Sequence, residues 1–137
     1  MIEMTKGVTK ILVIDDDASV LHALGLFLAQ EGYAVTTASK YRGKLKKVKP
    51  SELPDLIILD ILLSEENGCV IAKGLKHNNL TANIPIVMIS AHPNGKQMAG
   101  EAGADAYLPK PFEVDDLLET IDRLGGSQKP VPAGASA

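Results

Sequence analysis

Four consecutive large apolar residues, Leu56-Ile57-Ile58-Leu59, end on a single carboxylate, Asp60, and Ile61-Leu62-Leu63 follow. So short an apolar run after Pro54-Asp55 reads as a strand buried on both faces, as in a parallel sheet covered by helices. A carboxylate at the carboxyl end of such a strand stands where open α/β sheets bind their ligands. Without a cation or donors a buried charge costs several kcal/mol or neutralises. The rest of the chain must therefore bring partners to Asp60.

A second short β-branched run, Lys10-Ile11-Leu12-Val13-Ile14, stops at Asp15-Asp16-Asp17 and reads as the first strand. Val20, Leu24, Phe27 and Leu28 then recur at helical spacing, with Asp17 or Ser19 as cap and Gly32 as stop. Ala34 to Ala38 has strand character, and Tyr41, Leu45 and Val48 share a helical face that Pro50 ends, so a weak second helix is expected there. After the opening stretch, Ser64 to Gly68 is a turn, and Val70, Ile71 and Leu75 form the apolar side of a third helix. Pro85 to Ser90 is the fourth strand, and the glycine-bearing segment from His92 to Gly103 holds a short fourth helix. Ala106-Tyr107-Leu108 is the fifth strand, and the last helix spans Val114 to Leu124 with Val114, Leu117, Leu118 and Ile121 inward. Residues 1–9 are an N-terminal extension, 10–124 the folded domain and 125–137 a flexible tail or linker.

Strand and helix alternate five times, which implies a parallel sheet with right-handed crossovers and helices on both faces. All the strands then end on one edge, so Asp15, Asp16, Asp60, Ser90 and Lys110 gather there. At 137 residues with 45% hydrophobic and 23% charged content, one soluble domain is expected. No apolar run approaches the roughly 18 residues of a membrane span, and no signal peptide is legible, so a cytoplasmic protein with no membrane contact is expected. One cysteine, Cys69, and three histidines leave no zinc-type ligand set. Residues 40–49 carry six of the 14 basic residues and no acid, leaving 8 basic against 17 acidic elsewhere. Nucleic-acid binding is therefore not expected of this chain, whereas the basic segment suits an acidic partner.

Three carboxylates gathered at one edge raise one another's pKa, and a divalent cation resolves the conflict. All-oxygen ligands suit Mg2+ (or Mn2+), which typically takes one or two carboxylates and leaves a position for a phosphate oxygen. Lys110 and Ser90 add a cation and a hydroxyl for a phosphoryl group, and Asp60 is the plausible nucleophile, forming an aspartyl phosphate.

With the acidic pair after strand 1, Asp60, Gly68, Ser90, Tyr107 and Lys110-Pro111-Phe112 in this order, residues 10–124 strongly resemble the CheY-like receiver domain of two-component response regulators. The resemblance implies a flavodoxin-like doubly wound (βα)5 three-layer sandwich with parallel strand order 2-1-3-4-5. It implies that Asp60 accepts a phosphoryl group from a histidine kinase or histidine phosphotransfer protein. Asp16 would bind Mg2+ directly, Asp15 mainly through water, and Leu62 through its backbone carbonyl. Lys110 would pair with the phosphate, Ser90 would move to bond it, Tyr107 would turn inward, and the Lys110-Pro111 bond would be cis. The face of helix 4, strand 5 and helix 5 would meet an output partner, the chain being a monomer or a phosphorylation-dependent dimer. Beyond phosphoryl acceptance and slow loss of the phosphate, no enzyme activity is expected.

The chain departs from the family pattern at Leu62, where a polar residue is common, and at Leu63-Ser64 in place of a Met-Pro pair. Leu62 offers no donor to orient a water, so slow self-dephosphorylation is expected unless His92, two residues after Ser90, compensates. Ser90 and Tyr107 are also closer in sequence than the family pattern implies, which shortens the loop after Ser90 or helix 4. A phosphate-independent interaction module using residues 40–49 is the alternative reading. A phosphatase of the haloacid-dehalogenase type is disfavoured because Leu62 stands where its second acid would be.

Overall fold

Five strands form one parallel sheet: β1 (Lys10–Ile14), β2 (Ala34–Ala38), β3 (Leu56–Asp60), β4 (Ile86–Ser90) and β5 (Ala106–Pro109). The computed structural model describes residues 2–3, 8–46, 48–125 and 131–132. The strand order is β2-β1-β3-β4-β5, with Ile11 opposite Leu56 and Ile58 opposite Val87 in register. This is the flavodoxin-like order 2-1-3-4-5 that the resemblance implies. β3 and β4 are buried at every position, which explains why both read as unbroken apolar runs.

Side chains alternate across the sheet, so each strand feeds two cores. Ile11, Val13, Ile58 and Ile89 pack under α1 (Ala18–Gln30) and α4 (Val114–Gly125), meeting Leu24, Leu28, Leu117 and Ile121. On the other face, Leu12, Leu59 and Met88 pack against α2 (Gly68–Lys76) and α3 (Gly95–Glu101) through Ile71, Leu75 and Ala99. Asp17 caps α1 by accepting from the Ser19 and Val20 amides, and Asn67 caps α2 from Cys69 and Val70. Thus the residues that punctuate the sequence also start the helices.

Two expectations need correction. The weak second helix does not form: Arg42 and Gly43 adopt positive φ, 46° and 67°, and the chain continues through 3-10 turns at Lys44–Lys46 and Pro50–Glu52. Tyr41 and Leu45 are buried as their spacing indicated, but they reach the core from turns rather than from one helix face. Among the described residues there are accordingly four α-helices instead of five, and the fourth and fifth expected from sequence are α3 and α4. Val114 is the second correction: at 38% exposure it lies outside the stripe that buries Leu117 and Ile121.

The edge opposite the strands' carboxyl ends is held by two carboxylates. Asp55 Oδ2 accepts from Thr9 N, Thr9 Oγ1 and Lys10 N at 2.9–3.0 Å. Asp105 Oδ2 accepts from Ile86 N at 2.8 Å and Lys76 Nζ at 2.7 Å, and Lys76 also donates to the Ile84 carbonyl. Most of the segments read as N-terminal extension and tail lie outside the described residues; within them, Ile2–Glu3 pairs antiparallel with Val131–Pro132. Among the described residues no helix is long and apolar enough to cross a membrane.

Candidate functional site

Asp60 is the last residue of β3 and only 4% exposed, while Asp15, directly after β1, is fully buried. Asp15 is fixed by its own amide, which donates to the Ala38 carbonyl, and by Asp17 N, which donates to its Oδ1 at 2.9 Å. Lys110 follows β5, where its amide donates to the Ser90 carbonyl. From there Nζ reaches Asp15 Oδ2 at 2.7 Å and Asp60 Oδ2 at 2.9 Å. The second Asp60 oxygen accepts from Leu62 N at 3.0 Å. The parallel topology therefore brings together residues 95 positions apart, as the strand-end pattern in the sequence indicated.

Asp15, exposed Asp16 and Asp60 each offer a carboxylate oxygen, and these lie within 4.8 Å of one another. Three carboxylates face one ammonium. Burial pushes the Asp60 carboxyl up and the charge of Asp15 adds to this, outweighing Lys110 and the Leu62 amide, which pull it down. Burial alone would lower the Lys110 ammonium, but its bonds to Asp15 and Asp60 hold it above its ordinary value. A cluster of three carboxylates only partly compensated by Lys110, all oxygen and at a strand-end edge, fits a hard divalent cation such as Mg2+.

Ser90 ends β4 fully buried, its Oγ accepting from His92 N at 3.0 Å. Its carbonyl accepts from the Tyr107 hydroxyl at 2.9 Å. Tyr107 lies half-buried against Gly95, where a Cβ would overlap the phenol ring. Burial, then the Asp60 charge, raises the Tyr107 phenol. His92 Nδ1 accepts from Asn94 N and its carbonyl from Gly95 N, and with its own amide on Ser90 Oγ its hydrogen bonds run within the 90–95 loop rather than to Asp60. Leu62 is 51% exposed beside Asp60, and Leu62 and Asn67 form a bridge that closes the loop between β3 and α2. Gly68, after that loop, is required by contact: a Cβ there would overlap the Asp60 carbonyl oxygen. The Lys110-Pro111 peptide is cis.

Sequence reasoning missed three neighbours of the site, Glu65, Glu66 and Gly95. Glu66 accepts from Tyr41 N and Arg42 N at 2.7 and 2.9 Å, and Glu65 pairs with Lys40 and Arg42, tying the loop after Asp60 to the basic segment. Nothing periodic marks such loop-to-loop bonds, although adjacent acids facing an acid-free basic run are a usable hint. Gly95 was equally unmarked, because a glycine in a polar segment reads as a turn.

A family profile described as response regulator receiver domain matches residues 11–122. The alkaline phosphatase synthesis transcriptional regulatory protein PhoP of Bacillus subtilis is 41% identical over 83% of this chain and 48% of its own length. The chemotaxis response regulator CheY4 of Vibrio cholerae superimposes with a TM-score of 0.75 at 30% identity, covering 85% of this chain and 98% of that one. A CheY-like receiver domain protein of Methanospirillum hungatei gives 0.74 at 30% identity over 85% and 94%. The chain spans about half the length of the curated relatives it matches.

Proposed function

Because the chain belongs to the response regulator receiver domain family of two-component systems, we propose that it works as a Mg2+-dependent phosphoryl acceptor at Asp60. The observation that carries this reading is Lys110 Nζ bonded at once to Asp15 and Asp60 at the carboxyl edge of the sheet. An Asp60 carboxylate oxygen attacks the phosphorus of a phosphohistidine on a histidine kinase or phosphotransfer protein. The O–P bond forms as the N–P bond breaks, and the donor imidazole leaves with the electron pair. Lys110 binds the transferred group, and Leu62 N holds the other carboxylate oxygen in place. Asp15, Asp16, Asp60 and the Leu62 carbonyl would hold the Mg2+, which supplies neutralising charge to the phosphoryl oxygens.

The new group carries a charge of about −1.5 to −2 and draws the Ser90 hydroxyl and Lys110 toward it. Ser90 and Tyr107 share a hydrogen bond, so a shift of Ser90 reaches the face of α3, β5 and α4, where an output partner would bind. The protein is an acceptor rather than a turnover enzyme. Incubation with Mg2+ and acetyl phosphate, followed by intact mass, tests the assignment: wild type gains one phosphoryl group and Asp60→Asn none. Equal uptake by both would overturn it.

A further inference from the structure

Beside the turn that replaces the expected second helix lies an open groove of about 390 Å³, walled by residues 41–46 on one side and by α2 on the other. Its lining is apolar in Tyr41, Leu45, Ile71 and Leu75, and Val70 beside them is 66% exposed. A smaller hollow of about 200 Å³ lies on the other side of Leu45, against β2. Cations border both: Lys46 lines the first and Lys44 the second, with Lys49 exposed nearby in sequence. None of these three ammonium groups is in an ion pair among the described residues. The segment already attracts acids within the chain, since Glu65 sits 3.0 Å from both Lys40 and Arg42.

We propose that this face docks an acidic amphipathic helix from a protein partner, standing where the domain lacks a helix of its own. Its apolar stripe meets Tyr41, Leu45 and Val70, and its carboxylates meet Lys44, Lys46 and Lys49. Charge complementarity selects the occupant: residues 40–49 hold six basic residues and no acid in a protein of net charge −3. The acidic balance elsewhere opposes a nucleic acid or an anionic membrane, and the apolar lining asks for a hydrophobic stripe that a polyanion lacks. Docking here needs no phosphoryl group and is independent of the Asp60 assignment.

Gly74 lines the groove, and a Cβ added there meets nothing within 4 Å, so Gly74→Leu puts a side chain at the groove with no clash at its Cβ. The test titrates the isotope-labelled full chain with a synthetic helix of about four turns carrying leucine on one side and glutamate on the other. Amide shifts are expected at Tyr41, Leu45, Val70 and Thr81, with affinity falling as salt rises. A lysine-for-glutamate peptide should bind about tenfold more weakly or not at all. Gly74→Leu and Lys44→Glu/Lys46→Glu should each lose about tenfold without a lowered melting temperature, Gly74→Leu gaining stability as a helix-interior glycine is replaced, while Asp60→Asn binds as wild type does. The proposal is overturned by shifts confined to other faces, by equal binding of both peptides, or by no loss in Gly74→Leu. It fails equally if the exposed amides of β2 move instead, marking strand addition, or if only phosphatidylserine vesicles or duplex DNA shift these residues.

Discussion

At Asp60 the fold works against its own stability. A carboxyl raised above its ordinary value favours folding most below the unfolded pKa, and that contribution is lost as pH rises through the unfolded and folded values. Lys110 acts in the opposite sense: held above its ordinary value, it stabilises fully at neutral pH and is lost only as pH rises through its folded value in the alkaline range. At neutral pH without metal, Asp60 is therefore a cost that Lys110 offsets in part. We expect Asp60→Asn to raise the metal-free melting temperature by roughly 2–5 °C for a domain of this size and to abolish the further rise that Mg2+ gives wild type. Scanning calorimetry with and without MgCl2 checks both, and a lower Tm for the variant would contradict the electrostatic account. Leu62 belongs to the same scale. With no donor or acceptor in its exposed side chain, it orients no water, and Leu62→Asn should shorten the phosphate lifetime about tenfold or more, measured by decay of the phosphorylated mass.

Helix α3 is the weakest of the helices, with seven residues, no side-chain cap hydrogen bond at Asn94, and glycine at 95 and 100. Those two glycines differ. A Cβ at Gly100 meets nothing, so Gly100→Ala should stabilise by about 0.5–1 kcal/mol; at Gly95 it strikes Tyr107, so Gly95→Ala should expel the ring. Urea unfolding together with the Tyr107 ring resonances separates the two cases: a stabilised Gly95→Ala with unmoved Tyr107 would refute the contact argument. β1, β3 and β4 were legible because burial writes an unbroken apolar run, and α1 and α2 because their apolar residues recur at helical spacing behind Asp17 and behind the turn that ends at Gly68. The second helix was misread because the spacing of Tyr41 and Leu45 records burial, not backbone path, and the left-handed Arg42-Gly43 step leaves no such mark. The cluster of Asp15, Asp60 and Lys110 was recoverable because parallel topology sends every strand end to one edge. The Glu65 and Glu66 bonds were not, because they join two loops.

Across the whole molecule the two ends of the sheet do different work. At one lie the carboxylates in mutual conflict; at the other, Asp55 and Asp105 bind amides that would otherwise lie open. Burial tends to raise the Asp55 carboxyl, but the bonds from Lys10 N and Thr9 outweigh it, so it stays below the ordinary range. Its contribution is thus present above the unfolded pKa and lost as pH falls through the folded value, the reverse of Asp60. Asp55→Ala should cost about 1 kcal/mol at pH 7, a modest figure for a group partly open to water. That deficit should shrink below about pH 4, which urea unfolding at the two pH values measures; an unchanged deficit would point to packing instead. The strand order carries a further consequence. β1 pairs on one side with β2 and on the other with β3, whose Leu56 faces Ile11. During synthesis the first strand must therefore wait, with one flank bare, until the ribosome has released the Leu56–Asp60 run, so the segment that carries Asp60 into the carboxylate cluster is also the one whose arrival commits the amino-terminal half to its fold.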